Sequence, residues 1–118
     1  MELNEVAFDD VRPIDGYGPG FFRVDGTAHH GAILALPQKV RDWGGYDDTA
    51  AILQVRELID VIFVGTGAEI AHVPPVFRSR LEEAGLGVEV MASPAACRTY
   101  NVLLGEGRRV GAALLPVT

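Results

Sequence analysis

The residues that could do chemistry lie in two short stretches of the second half of the chain. Gly65-Thr66-Gly67 follows directly on the apolar run Val61-Ile62-Phe63-Val64. Glycines at a strand end allow a sharp turn and can offer backbone N–H groups to an anion. The stretch is neither G-x-G-x-x-G nor a P-loop, and Glu69 just beyond it has the wrong sign for phosphate. The second stretch holds Cys97, Arg98 and Asn101. Cys97 falls about three residues inside an expected helix start, where unpaired N–H groups and the dipole favour a thiolate. A nucleophile also needs a base, and His72 is the histidine expected closest to it. Against this, Cys97 shares a helical face with Tyr100 and Leu104, and a buried cysteine behaves as a small apolar residue. Arg98 and Asn101 are spaced i, i+3. A cation in the first helical turn opposes the dipole, so Arg98 should have a partner, either a carboxylate such as Glu69 or Glu89 or an external anion. Gly65, Thr66, Gly67, Glu69, His72, Cys97, Arg98 and Asn101 therefore form a candidate ligand or partner crevice, with no catalytic residue assigned. His29 and His30, adjacent on a strand, point to opposite faces and do not make a metal site. Neither metal nor cofactor is expected.

The elements that must position these residues can be read in order. The first 45 residues read as β-structure. Tyr17-Gly18-Pro19-Gly20 is a turn, and Phe21 to Val24 leads into the hairpin signal Asp25-Gly26. The return strand is expected from Thr27 through Leu36, with a further edge strand near Val40 to Trp43. Tyr17, Phe21, Phe22 and Trp43 suit either an exposed aromatic patch or, more often, a core. After Gly44-Gly45, a residue among Asp47, Asp48 and Thr49 can cap a short helix through about Arg56. The apolar run to Gly65 suits a strand covered on both faces. Pro75 suits a first helical position, Phe77, Leu81 and Ala84 make one stripe, and Gly85 with Leu86 suits a Schellman ending. Val88 to Met91 is the next strand. Ser93-Pro94 reads as a capping hydroxyl before a proline, opening a helix that stops near Gly105 or Gly107. Val110 to Leu115 closes the chain as a buried strand. The expectation is an α/β fold in one domain, 1–118. An N-terminal antiparallel β-layer is joined to a C-terminal βαβαβ parallel unit, with helices covering the sheet.

Composition narrows the function classes. The chain has 118 residues, 48% of them apolar, and a net charge of −6 with a single lysine, Lys39. That charge argues against nucleic acid. One cysteine excludes an internal disulfide and a multi-cysteine zinc site. No apolar run approaches the roughly 20 residues of a membrane helix. Met1-Glu2-Leu3-Asn4-Glu5 lacks the layout of a signal or transit peptide, so a cytoplasmic location is expected.

Ala95-Ala96-Cys97-Arg98-Thr99-Tyr100-Asn101-Val102-Leu103, followed by Glu106, Arg108-Arg109-Val110 and Ala112 to Pro116, resembles a family of small uncharacterised α/β domains. Gly65-Thr66-Gly67, Leu86 to Met91 and Tyr17 to Phe21 match the same family. It includes a mitochondrial complex I (NADH:ubiquinone oxidoreductase) assembly-factor relative and an adipogenesis-associated relative. The resemblance implies a compact α/β domain and a non-catalytic role in assembling a membrane complex, hence a protein partner. The alternative reading is a small-molecule or anion binder, or a weak enzyme, using the crevice named above. A homo-oligomer paired through an edge strand of the N-terminal half is compatible with either.

Overall fold

The computed structural model describes residues 11–118. The acidic start Met1 to Glu5, and the part of the expected β-region before residue 11, lie outside the described residues. Eight strands and three α-helices follow: β1 Ile14–Gly18, β2 Phe21–Val24, β3 Thr27–His30, β4 Ile33–Leu36, β5 Lys39–Asp42, α1 Thr49–Leu53, β6 Val61–Gly65, α2 Pro75–Glu83, β7 Gly87–Met91, α3 Ser93–Gly105 and β8 Val110–Leu114. The strands form an antiparallel sheet β1-β2-β3 and a mixed sheet β5-β4-β8-β6-β7. Strands β7, β6 and β8 are mutually parallel, as the strand–helix alternation predicts. Strand β4 joins them antiparallel to β8.

The expected unbroken return strand from Thr27 to Leu36 is two strands in different sheets. Gly31 separates them at φ +87°, a conformation that glycine adopts without a Cβ clash. The preceding hairpin is as expected, with Asp25 at φ 54° and Gly26 at φ 79°. Those angles match the twist of the flanking strands. Helix α1 starts where Asp48 accepts the Ala51 N–H. It ends at Leu53 rather than Arg56, and the chain continues as a 3-10 turn over Arg56–Leu58.

Two cores lie on the two faces of the mixed sheet. On one, α1 and α2 cover Leu34, Leu36, Ile62, Val64, Val88 and Ala113. Trp43 is buried here beside Tyr46 and Phe77, and its indole N–H donates to Asp48 O at 3.2 Å. Trp43 and Phe22 therefore belong to the core, and of the four aromatics weighed for a patch Tyr17 is the exposed one. On the other face, α3 and the small sheet cover Ile33, Ala35, Phe63, Ala112 and Leu114. Helix α2 ends as expected, with Gly85 at φ +92° and the Leu86 N–H donating to Leu81 O at 3.1 Å.

Candidate functional site

The turn Gly65-Thr66-Gly67 leaves the carboxyl end of β6 and meets the start of α3. Its N–H groups are already committed. Thr66 N–H donates to Met91 O at 3.0 Å, and Gly67 N–H donates to Ser93 Oγ at 2.9 Å. The Ser93 hydroxyl in turn donates to Leu115 O at 2.6 Å, while Ser93 N–H donates to Gly67 O at 2.8 Å. Ser93 does not cap its own helix, since Ala92 holds the cap position. Its side chain instead fastens three segments together in a fully buried site. Sequence reasoning missed this because a serine before a proline at a helix start looks the same whether its hydroxyl turns inward or along the chain. The Thr66 hydroxyl donates to Glu69 O at 2.6 Å and accepts the Ala71 N–H at 3.1 Å, which closes the loop on itself. The Glu69 side chain is exposed.

Cys97 is buried among the α3-side core, with Tyr100 one turn on. Burial pushes the thiol up to about 12, against an opposing pull from the Arg98 charge. The protonated thiol is therefore the dominant form near neutral pH. His72 is exposed and lines a groove with Val73, Arg78 and Val90. Val73 and Val90 pack on the opposite core, under α2. The sheet thus stands between the thiol and the imidazole. Arg98 is exposed, and among the described residues it forms no ion pair with Glu69 or Glu89. The salt bridge expected with Glu69 or Glu89 is thus not formed, and Arg98 lies on the surface of α3 beside Thr99 and Val102. The Tyr100 hydroxyl is buried with no hydrogen-bond partner among the described residues.

Asn101 has a structural occupation. Its amide oxygen accepts the Ile14 N–H and its amide nitrogen donates to Ile14 O, both at 2.8 Å. This pair mimics a strand neighbour and ties β1 to α3 across the core. Asn101→Ala leaves both backbone groups without their partner. It should lower stability by about 2 kcal/mol, read as a shift in the urea midpoint. An unchanged midpoint would mean that water replaces the amide at no cost.

The eight candidate residues are therefore not gathered into one crevice. The turn touches α3 through Ser93, Cys97 is enclosed, and His72 faces the α2 side. What the α2 side does present is an open groove of about 510 Å³, lined by Ile70, His72, Val73, Pro75, Arg78 and Val90. Ile70 is 67% exposed, and Val76, on the first turn of α2, is 65% exposed. A large apolar residue, Ile70, in the loop between β6 and α2 was the available signal for this surface. Among the described residues no group of histidine, cysteine and carboxylate side chains is arranged to hold a metal. No helix there is long and apolar enough to cross a membrane.

Comparison with known proteins agrees with this architecture. An uncharacterised protein of Rhodobacter capsulatus is 47% identical over 117 residues, covering 99% of this chain and 94% of that one. The NADH dehydrogenase (ubiquinone) 1 alpha subcomplex assembly factor 3 of Bos taurus is 36% identical over 110 residues. That match covers 87% of this chain but only 60% of the bovine protein's length. Among solved structures, an outer membrane protein from Bartonella henselae superposes with a TM-score of 0.83 at 36% identity, over 95% of this chain and 100% of that one. The profile described as protein of unknown function (DUF498/DUF598) matches residues 14–115, so the chain belongs to the DUF498/DUF598 family.

Proposed function

We propose that this protein is a non-catalytic, cytoplasmic protein-binding module of the assembly-factor type, handling subunits of a membrane-bound NADH:ubiquinone oxidoreductase before they are joined. The observation that carries the reading is the exposed Ile70 side chain on an open groove walled by Val73 and Val90, in a relative of the assembly factors. Exposed apolar side chains grouped beside a groove are the usual mark of a protein contact. The sheet between the Cys97 thiol and the His72 imidazole removes the thiol–base pair that the sequence offered for a cysteine nucleophile.

Deletion of the gene in its own host should lower the amount of assembled oxidoreductase on native gels by roughly tenfold, about what losing 1.4 kcal/mol of assembly free energy does to an equilibrium. Re-expression of the chain should restore it. Normal assembly in the deletion strain would remove the reading. The competing proposal, an anion or small-molecule site at Gly65–Gly67 and Cys97–Asn101, keeps one supporting observation, the exposed Arg98 guanidinium without a carboxylate among the described residues.

A further inference from the structure

Strand β7 is the last strand of the mixed sheet, and among the described residues only β6 pairs with it. Its outer edge can be worked out from the ladder. Gly87 N–H donates to Asp60 O at 2.9 Å, and Met91 O accepts the Thr66 N–H. Gly87, Glu89 and Met91 therefore turn their backbone groups toward β6. In a parallel ladder, successive residues give their N–H and C=O to opposite sides. Val88 and Val90 then direct theirs to the open edge. Of those four groups, the Val88 carbonyl alone has a partner among the described residues, the Arg78 Nη2 at 3.2 Å. Arg78 also donates from Nε to Glu82 at 3.0 Å, so it keeps a partner if it leaves that carbonyl.

The opposite edge of the same sheet is guarded. Strand β5 carries Lys39, Arg41 and Asp42 in four residues, and charged edges discourage further pairing. Strand β7 carries one charge, Glu89, among Gly87, Val88, Val90 and Met91. The groove lies directly beside this edge and takes Val90 as one wall. Backbone groups awaiting partners and an apolar trough on the same strand are the two halves of a strand-addition site.

We infer that β7 receives an extended segment of a partner protein as a sixth strand. Alternate apolar side chains of that segment enter the groove at Ile70, Val73 and Val90, and a lysine or arginine on its other face meets Glu89. The inference rests on the protein-binding reading above and names its surface. A second copy of this chain fits less well. Antiparallel pairing of β7 with itself about its middle residue would set Glu89 against Glu89, and like charges directly opposite oppose pairing. Both copies would also carry a charge of −6.

The probe is the peptide Thr-Val-Lys-Val-Lys-Val-Thr, whose valines fall on one face and lysines on the other. Titrated into isotopically labelled protein, it should shift the amide resonances of Val88, Val90 and residues 70–73, and slow exchange at Val88 and Val90 by roughly tenfold or more. Val90→Pro removes an outward N–H without taking a bond from the β6 ladder, so the fold should persist while binding is lost. Glu89→Lys, an exposed change, should weaken the lysine peptide by roughly tenfold and serves even if the proline variant does not fold. Shifts confined to other surfaces, or equal binding by Glu89→Lys and wild type, would overturn the inference. A dimer in sedimentation that Val90→Pro dissociates would overturn it in favour of a second copy. In the deletion strain, folded Val90→Pro should fail to restore oxidoreductase assembly. Full restoration by Val90→Pro would sink the edge and spare the assembly reading. Normal assembly without any copy would sink that reading, whatever the peptide does.

Discussion

Gly65→Ala is expected to destabilise the protein by about 3 kcal/mol, at the upper end of what one added methyl costs in a packed site. A Cβ built on Gly65 would lie 2.6 Å from Ser93 Oγ, 2.8 Å from Leu114 Cδ2 and 2.9 Å from Ser93 Cα. The last contact is to backbone that cannot retreat. Ser93 is held to Gly67 through its N–H and its hydroxyl, and to Leu115 through the same hydroxyl. Gly65 is thus required by close approach and not by its backbone angles, whereas Gly67, at φ +104°, is the residue that makes the turn. Ser93→Ala supplies the control. It leaves the Gly67 N–H and the Leu115 carbonyl unpaired and should cost about 2 kcal/mol by itself. It should not rescue Gly65→Ala, because the Leu114 methyl and the Ser93 Cα remain in place. Urea unfolding of the two single variants and the double variant measures this. A Gly65→Ala midpoint equal to wild type would mean that α3 can slide away from β6, contrary to the triple fastening at Ser93.

Alkaline pH should weaken the fold through Cys97. The thiol is raised to about 12 by burial in the folded state, against about 8.5 in an unfolded chain. The folded protein therefore holds its proton where the unfolded chain releases it. Stability from this group is complete below the unfolded value and is lost as pH rises toward 12. The slope reaches about 1.4 kcal/mol per pH unit, which gives a loss of about 2 kcal/mol between pH 7 and pH 10. Burial also raises Tyr46 and Tyr100 above the ordinary phenol range, and their contribution has the same sign at higher pH. Denaturant midpoints of wild type and Cys97→Ala, followed from pH 7 to pH 10, separate the terms. Wild type should fall steeply while Cys97→Ala stays nearly level below the phenol range. Parallel curves would show that the thiol titrates normally and is not enclosed. The same enclosure predicts that a thiol reagent labels Cys97 at neutral pH only after unfolding.

Much of the fold was legible in the sequence, because its signals are local and act alone. The helix from Pro75 to Gly85, the hairpin at Asp25-Gly26 and the three parallel strands each follow from a turn residue, a proline or an apolar run. The family assignment was legible too, from the Cys-Arg-Thr-Tyr-Asn block and its neighbours. Other features needed the tertiary structure, because they depend on which surfaces meet. Gly31 could have lain within one long strand, and only the division of the β-region between two sheets makes it a break. Ser93 looks like a helix cap until β6 and the end of β8 arrive beside it. Asn101 looks free for a ligand until β1 places Ile14 against it. His72 and Cys97 follow neighbouring strands in sequence, yet the sheet they help to cover stands between them. Residue type and spacing determined which elements form and on which face each is apolar. The packing of those faces on both sides of one sheet decided which polar groups were consumed inside and which edge was left open.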